Sequence, residues 1–217
     1  MAAYDYKKEF PDLYRPGTEP SLIAVPPMCF AAIEGAGDPN EPDGAYRRAV
    51  GVLYAVSYTL RMAKKAGHAI DGYFEYVVPP LEGLWWMGDG TPGIDYANKS
   101  GFRWISMIRL PEFAGADALE WAKREAARKK GLDTGNVQLL QYDEGLAVQC
   151  MHLGPYDTEP ETVRRMHAWI RSQGCQTDIG AARRHHEIYL GDPRKCAPER
   201  LRTVLRHPVR RAEEADK

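Results

Sequence analysis

Two segments of the chain, each directly before a stretch with helical periodicity, carry nearly the same turn sequence. Residues 34–42 are EGAGDPNEP and residues 153–160 are LGPYDTEP. Both contain G-x-x-D followed by Glu-Pro, with one extra residue between Asp and Glu-Pro in the first segment. A similarity at equivalent places indicates an internal duplication. Two such units, joined sheet to sheet, would leave a cleft between them.

Apolar residues that recur at helical spacing or alternate between polar ones predict the elements around these turns. Two units of strand, helix, strand and strand result, with a helix and a strand between them. The predicted strands cover residues 22–34, 73–78, 81–87, 102–110, 137–142, 146–153, 185–190 and 201–206, and the predicted helices cover 43–65, 117–130 and 158–174.

Several local details follow from turn and proline chemistry. The pair Pro79-Pro80 predicts that residues 81–87 form a kinked or edge continuation of the preceding strand. The turn at residues 143–145 predicts a hairpin over 137–153. Asp117 with Glu120, and Thr158 with Glu161, are typical of capping boxes.

The predicted fold class is α+β, with tandem strand-helix-strand-strand units of the SHS2 type related by pseudo-twofold symmetry. Antiparallel sheets are expected to enclose a central cleft. Residues 1–20 are predicted to be an N-terminal arm and residues 21–210 a single domain. Within it, repeat one covers about 21–111, the connecting helix and strand about 115–142, and repeat two about 146–208.

The net charge and the cysteine pattern indicate which partners and which cellular compartment to expect. The net charge is −1, which favours neither nucleic acid nor a membrane surface. The four cysteines lack CxxC spacing, the first residues lack an apolar signal core, and no apolar run reaches membrane-spanning length. We therefore expect a cytoplasmic protein, monomeric or homodimeric, with reduced thiols. The basic segment 200–211 is expected to be a solvated strand edge and tail.

Two clusters supply aromatic side chains. In the segment 80–86, adjacent Trp85 and Trp86 point to opposite faces of a strand, so one can face the cleft while the other packs in the core. Both can equally be core residues. In the segment 152–156, His152 and the turn Gly-Pro precede Tyr156, which is placed to donate to a ligand carbonyl or simply to cover the sheet.

The third cluster, residues 185–190, contains the strongest candidate. Alternation places His185, Glu187 and Tyr189 on one face and Ile188 on the other, which is expected to face the helices. A carboxylate in the middle of an apolar strand is costly to bury. Glu187 is therefore predicted to be a general base or a receptor for a cation. Neighbouring His185 and His186 face apart, which argues against a shared metal.

These clusters together resemble the GyrI-like (gyrase-inhibitor-like) small-molecule-binding family, in particular stand-alone members that include cyclopropanoid cyclopropyl hydrolases. The resemblance covers about residues 20–210. The matching segments, in order, are PLEGLWW (80–86), MIRLPEF (107–113), EG (144–145), HLGPY (152–156), HHEIYL (185–190), DPR (192–194) and TVLR (203–206) with Pro208.

The resemblance implies a drug-binding cleft with a central glutamate, at the position of Glu187. It also implies hydrolysis of the strained cyclopropane of duocarmycin- and yatakemycin-like genotoxins, without cofactor or metal, in self-protection or detoxification. The alternatives are a non-catalytic sink or sensor for planar or cationic drugs, and a protein that docks on gyrase. The predicted catalytic residues are Glu187, Tyr156 and Tyr189, and the predicted ligand-binding residues are Trp85, Trp86, Trp104, Tyr142, His152 and His185.

Overall fold

The computed structural model of the chain describes residues 3–212, so Met1 and Ala2 of the predicted arm lie outside the described part. The helices are α1 (Tyr6–Glu9), α2 (Pro11–Tyr14), α3 (Ala45–Arg61), α4 (Ala116–Lys130) and α5 (Glu159–Ser172). The strands are β1 (Ser21–Val25), β2 (Met28–Ala36), β3 (Leu81–Met87), β4 (Phe102–Arg109), β5 (Gln138–Tyr142), β6 (Gly145–Leu153), β7 (Cys175–Thr177), β8 (His185–Tyr189) and β9 (Arg202–Arg211).

The strands form one antiparallel sheet with a symmetric order. The path is β1-β6-β9-β8-β3-β4-β2-β5, and β7 pairs with β9 beside it. In the first repeat β4 lies between β2 and β3, and in the second repeat β9 lies between β6 and β8. The two repeats meet where β3 pairs with β8. The predicted α+β fold of two strand-helix-strand-strand units is confirmed.

The repeats also exchange their outer strands. β1 precedes the first repeat but pairs with β6, and β5 precedes the second repeat but pairs with β2. Val25 pairs with Gly145 and Met28 with Tyr142, so one register continues across the break between these strands. The predicted hairpin of β5 and β6 is therefore wrong. In the described sheet β5 pairs with β2, whereas β6 pairs with β1 and β9.

Other local predictions also needed correction. β3 is not an edge, since it pairs with both β4 and β8; Pro79 and Pro80 precede it and so remove no hydrogen bond from its ladders. The predicted strand over 73–78 is reduced to an isolated bridge between Tyr4 and Tyr76. Neither predicted capping box forms, because the described N-caps of α4 and α5 make no side-chain cap hydrogen bond.

The two faces of the sheet are covered by different parts of the chain. The long helices α3 and α4 pack over Trp85 and Trp104, and α5 packs over Leu205 on the same face. The short helices α1 and α2 lie on the opposite face, where Tyr6 and other aromatic residues of the arm pack with Ile188. The expectation that Ile188 faces the long helices was wrong. His185, Glu187 and Tyr189 face them instead.

A buried charged network ties the arm to the sheet. His186 bonds to the carboxylates of Glu144 and Glu82, at 3.0 Å each. Arg206 donates to Glu144 at 2.9 Å and to the Leu13 carbonyl at 2.8 Å. Burial opposes these charges, but the neighbouring opposite charges hold the Glu144 pKa at about 2 and the His186 pKa at about 9. Arg206 is fully buried, so its predicted place in a solvated tail was wrong.

Candidate functional site

Two buried carboxylates face each other beneath the long helices. Glu187 lies in the middle of β8 and is 7% exposed, and Glu159 is the first residue of α5 and is fully buried. One oxygen of each, and a ring nitrogen of His185, all lie within 4.8 Å of one another. His185 Nε2 bonds to Glu187 Oε1 at 2.9 Å. Ionisation of both carboxyl groups at this spacing in a buried site is unfavourable, because the two negative charges repel each other.

The surroundings separate the protonation states of the two carboxyl groups. Burial raises the pKa of Glu159 well above its usual value, and the adjacent Glu187 charge raises it further. Glu159 Oε2 accepts a bond from the Tyr96 hydroxyl at 3.1 Å, while Oε1 has no partner among residues 3–212. The site therefore favours the protonated form of Glu159, while Glu187 is the member of the pair that bonds to a histidine.

A hydrogen bond between two aromatic residues borders the pair. Trp85 Nε1 donates to the Tyr189 hydroxyl at 2.8 Å. Tyr189 lies two residues after Glu187 on the same face, and Trp85 lies two residues after Gly83, which pairs with Glu187 across the ladder. A side chain at Gly83 would occupy the space of this bond. Glycine at this position is thus part of the site geometry.

Further aromatic rings complete the walls. Tyr46 of α3 lies 5.3 Å from Trp85 and 5.2 Å from Trp104, centroid to centroid. Tyr156 meets Tyr189 edge to face at 5.8 Å. Rings at such angles and distances form a rigid, apolar surface suited to a flat ligand.

The tyrosines of the site retain their protons at neutral pH. Burial, and secondly the nearby Glu187 charge, raise the pKa values of Tyr156 and Tyr189. Their hydroxyl groups therefore act as hydrogen-bond donors rather than as anions. Tyr46, Tyr96, Tyr156 and Tyr189 are partly exposed above the buried carboxylates.

The structure brings six of the nine predicted site residues together. They are Trp85, Trp104, Tyr156, His185, Glu187 and Tyr189. Their chemical roles remain predictions.

The other three predicted residues lie elsewhere. Trp86 faces away from Trp85, and the Arg184 guanidinium lies 4.5 Å from its ring centre. Tyr142 packs on the arm side, edge to face with His186. His152 is buried beside α5, where its ring nitrogens bond to Thr162 Oγ1 at 2.9 Å and to the Pro155 carbonyl at 3.0 Å.

Sequence reasoning missed Glu159, Tyr46, Tyr96 and Gly83. A signal for Glu159 was present, since it belongs to the repeated Glu-Pro turn motif. A glutamate in the first turn of a helix is ordinarily a favourable helix-end charge, so the motif alone did not indicate a buried partner for Glu187.

The cluster Glu159, His185 and Glu187 has the residue types of a metal site. His185 and Glu187, however, already bond to each other, and Glu159 bonds to Tyr96 through one of its two oxygens. His185 uses Nε2 for Glu187 and Nδ1 for His207, at 2.9 and 2.6 Å. A metal ion would have to break the His185–Glu187 bond to use both residues, so the arrangement is better described as a hydrogen-bonded network. Independence from metal remains a prediction.

The chain matches the GyrI-like small molecule binding domain over residues 18–210 and belongs to the GyrI-like family. The family predicted from the sequence motifs is thereby confirmed, and the protein is a GyrI-like small-molecule-binding domain. Within residues 3–212, no helix combines the length and the apolar character needed to cross a membrane.

Solved structures with the same fold come from Listeria innocua. A crystal structure of a hydrolase from that organism is 43% identical with a TM-score of 0.86, and the alignment covers 95% of this chain and 100% of that chain. An uncharacterized conserved protein from the same organism is 44% identical with a TM-score of 0.89, over 95% and 100% of the two chains. No match was found among curated proteins.

Proposed function

We propose that the protein hydrolyses the cyclopropane ring of planar cyclopropanoid genotoxins of the duocarmycin and yatakemycin type, without a cofactor. One observation carries the proposal: Glu187, which bonds to His185, lies beside a second buried carboxyl group, Glu159, and aromatic rings border both. Burial and the adjacent Glu187 raise the pKa of Glu159, and buried carboxyl groups with such shifts are typical of acid–base sites. The similar Listeria innocua protein described as a hydrolase supports the same reaction class.

In this reaction Glu187 acts as the general base. A water molecule beside Glu187 attacks the cyclopropane methylene carbon, and one proton of the water passes to the Glu187 carboxylate. The bond from that carbon to the spiro carbon breaks, and its electron pair turns the dienone ring into a phenolate. Tyr189 or Tyr156 donates a proton to the phenolate oxygen as its charge develops. Transfer of the Glu187 proton to that tyrosine restores both groups, so that one water is added overall.

The aromatic walls supply binding and position. A flat, largely apolar substrate stacks on Trp85 and on Tyr46, both of which border the carboxylate pair. Stacking holds the strained ring over Glu187 and keeps bulk water out, which strengthens every electrostatic contact in the site. Relief of ring strain supplies much of the driving force. A modest catalytic site is therefore sufficient.

The direct test is incubation of the purified protein with a duocarmycin-type compound, followed by mass spectrometry. We expect a product heavier than the substrate by one water, formed in proportion to enzyme concentration. Heat-inactivated protein serves as the control for spontaneous opening. Recovery of intact substrate, with binding demonstrated separately by fluorescence quenching, would overturn the proposed reaction while leaving the binding function in place.

The second candidate is drug binding without turnover. In its favour, neither Glu159 nor Glu187 is paired with a lysine or arginine in the described part of the chain, so a ligand cation could neutralise the pair. Aromatic faces around the carboxylates would add cation–π attraction. Dye displacement with a cationic and a neutral compound of the same outline separates the two candidate functions. A protein that only binds drugs should bind the cationic compound much more tightly, whereas the hydrolase should bind both compounds with similar affinity.

A further inference from the structure

Three histidines form a continuous hydrogen-bonded row that leads away from Glu187. His185 Nε2 bonds to Glu187 Oε1 at 2.9 Å, and its Nδ1 bonds to His207 Nε2 at 2.6 Å. His207 Nδ1 in turn bonds to His167 Nε2 at 2.9 Å. Each link joins opposite ring nitrogens, so the row runs without interruption through every imidazole.

The row leads from the centre of the sheet to the molecular surface. His185 and His207 are 3% and 2% exposed and lie on the adjacent strands β8 and β9. His167 lies on α5, which packs over this part of the sheet, and is partly exposed. The row therefore connects a buried carboxylate to solvent along a route separate from the aromatic walls.

The number of protons matches the number of links. A neutral imidazole carries one N–H, and three imidazoles fill the three links when every proton lies on Nε2 and points toward an ionised Glu187. A solvent proton added at His167 Nδ1 can shift each link in turn. The row then has every proton on Nδ1, and Glu187 has gained one proton at Oε1. The reverse sequence releases that proton, and no heavy atom has to move.

We propose that His185, His207 and His167 are a proton relay through which Glu187 gains or loses a proton while a ligand covers the carboxylate pair. It rests on the proposed role of Glu187 as the charged group that meets the ligand. A bound planar ligand blocks water from the carboxylate pair, whereas a ligand of different charge changes the preferred ionisation of that pair. The relay keeps Glu187 in equilibrium with solvent under these conditions.

The surroundings of His207 and His167 favour neutral imidazoles, which the relay needs. Burial lowers the pKa of His207 well below its usual value, and the neighbouring His185 and His167 lower it further. Burial also lowers the pKa of His167, assisted by Arg171, one helical turn along α5. Arg171 at the outer end, and Glu187 and Glu159 at the inner end, are the charged or titratable neighbours of the row.

The tautomers of the three rings provide the first test, which does not depend on turnover. In ¹⁵N NMR spectra of the full chain near neutral pH, we expect all three rings to carry their proton on Nε2. On acidification they should change together rather than one by one. Mixed tautomers, or independent titration of the three rings, would overturn the relay.

The second test compares rates with affinities. A lipophilic cationic dye is mixed with the protein in weak buffer containing a pH indicator. The positive charge of the dye favours ionisation of both Glu159 and Glu187, so a proton held by this pair leaves through Glu187 and the row, and its release is followed by stopped flow. In His167→Ala we expect release at least about tenfold slower, at the low end of what a positioned proton-transfer group contributes. The equilibrium affinity for the dye should be unchanged, and added imidazole should restore the rate. His68→Ala, which removes a histidine stacked on Trp121, is the control.

The outcomes separate this inference from the proposed function. The relay is overturned if the wild-type protein releases no proton, or if His167→Ala and His207→Gln release it as fast as the wild type does. Either result overturns the relay even if hydrolysis is observed. Slower release with restored rate in imidazole supports the relay even if no substrate is hydrolysed. Because His167 is at the surface end, its variant remains informative if His207→Gln fails to fold.

Discussion

Gly83 on β3 lies directly opposite Glu187 on β8, in the ladder where the two repeats meet. A Cβ atom at Gly83 would lie 2.5 Å from Trp85 Nε1 and 2.9 Å from the Tyr189 hydroxyl oxygen. Neither atom can stay in place at such a distance. The absence of a side chain at Gly83 thus provides the room in which the Trp85–Tyr189 hydrogen bond forms beside Glu187.

Gly83→Ala should therefore disturb the site and the sheet together. We expect a loss of about 1–3 kcal/mol in the free energy of unfolding, the usual cost of overpacking, together with weaker binding of planar ligands. Urea unfolding and fluorescence titration measure the two effects. Gly51→Ala is the matched control, because Gly51 is an exposed α3 residue with open space around its Cβ position, and alanine there should slightly stabilise the helix. Native stability and binding in Gly83→Ala would contradict this account.

The buried network on the arm side predicts a large stability effect at a residue on the opposite face of the sheet from the proposed chemistry. Arg206→Met removes the cation that pairs with Glu144 and leaves the Leu13 carbonyl without its donor. Breaking a buried ion pair in this way costs about 3–5 kcal/mol. The exposed neighbour Arg202→Met on the same strand should change stability little. Equal unfolding midpoints for the two variants would show that the network does not stabilise the fold.

Metal dependence can be tested directly, because three potential ligands converge at Glu159, His185 and Glu187. We expect dialysis against a chelator to leave the melting temperature, ligand binding and turnover unchanged, since both ring nitrogens of His185 already have hydrogen-bond partners in Glu187 and His207. Loss of any of these properties, restored by a divalent metal ion, would identify a metal site and contradict the prediction.

The sequence was sufficient to predict the internal repeat and to predict which residues share a face of each strand. Alternation correctly placed His185, Glu187 and Tyr189 on the face opposite Ile188, because side-chain direction along a strand is a local property. Which face the long helices cover was predicted wrongly. That choice depends on the arm, whose Tyr6 and neighbouring aromatics cover the opposite face.

The carboxylate pair could not be predicted for a related reason. Glu159 and Glu187 are far apart in sequence, and only the packing of the start of α5 over β8 brings them together. No periodicity in either segment encodes that contact. The same holds for the row of histidines, whose members belong to one helix and two strands.

Glu187→Gln tests the proposed base while keeping the shape of the side chain. We expect turnover of a duocarmycin-type compound to fall by about 10²–10⁴, the usual contribution of a positioned base. Binding of a neutral planar compound should survive, because the aromatic walls remain. If the protein only binds drugs, the same variant should weaken cation binding alone. If both turnover and cation binding are unchanged while the melting temperature falls, Glu187 is structural.

Glu159→Gln tests the partner carboxyl group through the pH dependence of stability. The pKa of Glu159 is raised in the folded state, so above the unfolded-state value of about 4.5 the unfolded chain loses a proton that the folded chain retains. Folding stability therefore declines as pH rises from about 4.5 toward the raised folded-state pKa. Glutamine resembles the protonated acid and has no such decline.

Melting temperatures measured between pH 4 and pH 8 should thus separate the two proteins. We expect Glu159→Gln to match the wild type near pH 4 and to melt at a higher temperature near pH 7, since the like-charge repulsion with Glu187 and the burial cost of ionisation are both removed. The exposed helix residue Glu161, two positions on, gives the control variant Glu161→Gln, whose profile should follow the wild type. A Glu159→Gln protein less stable than wild type across the whole range would mean that Glu159 is ionised and stabilising. The raised pKa of Glu159 in the folded protein would then be wrong.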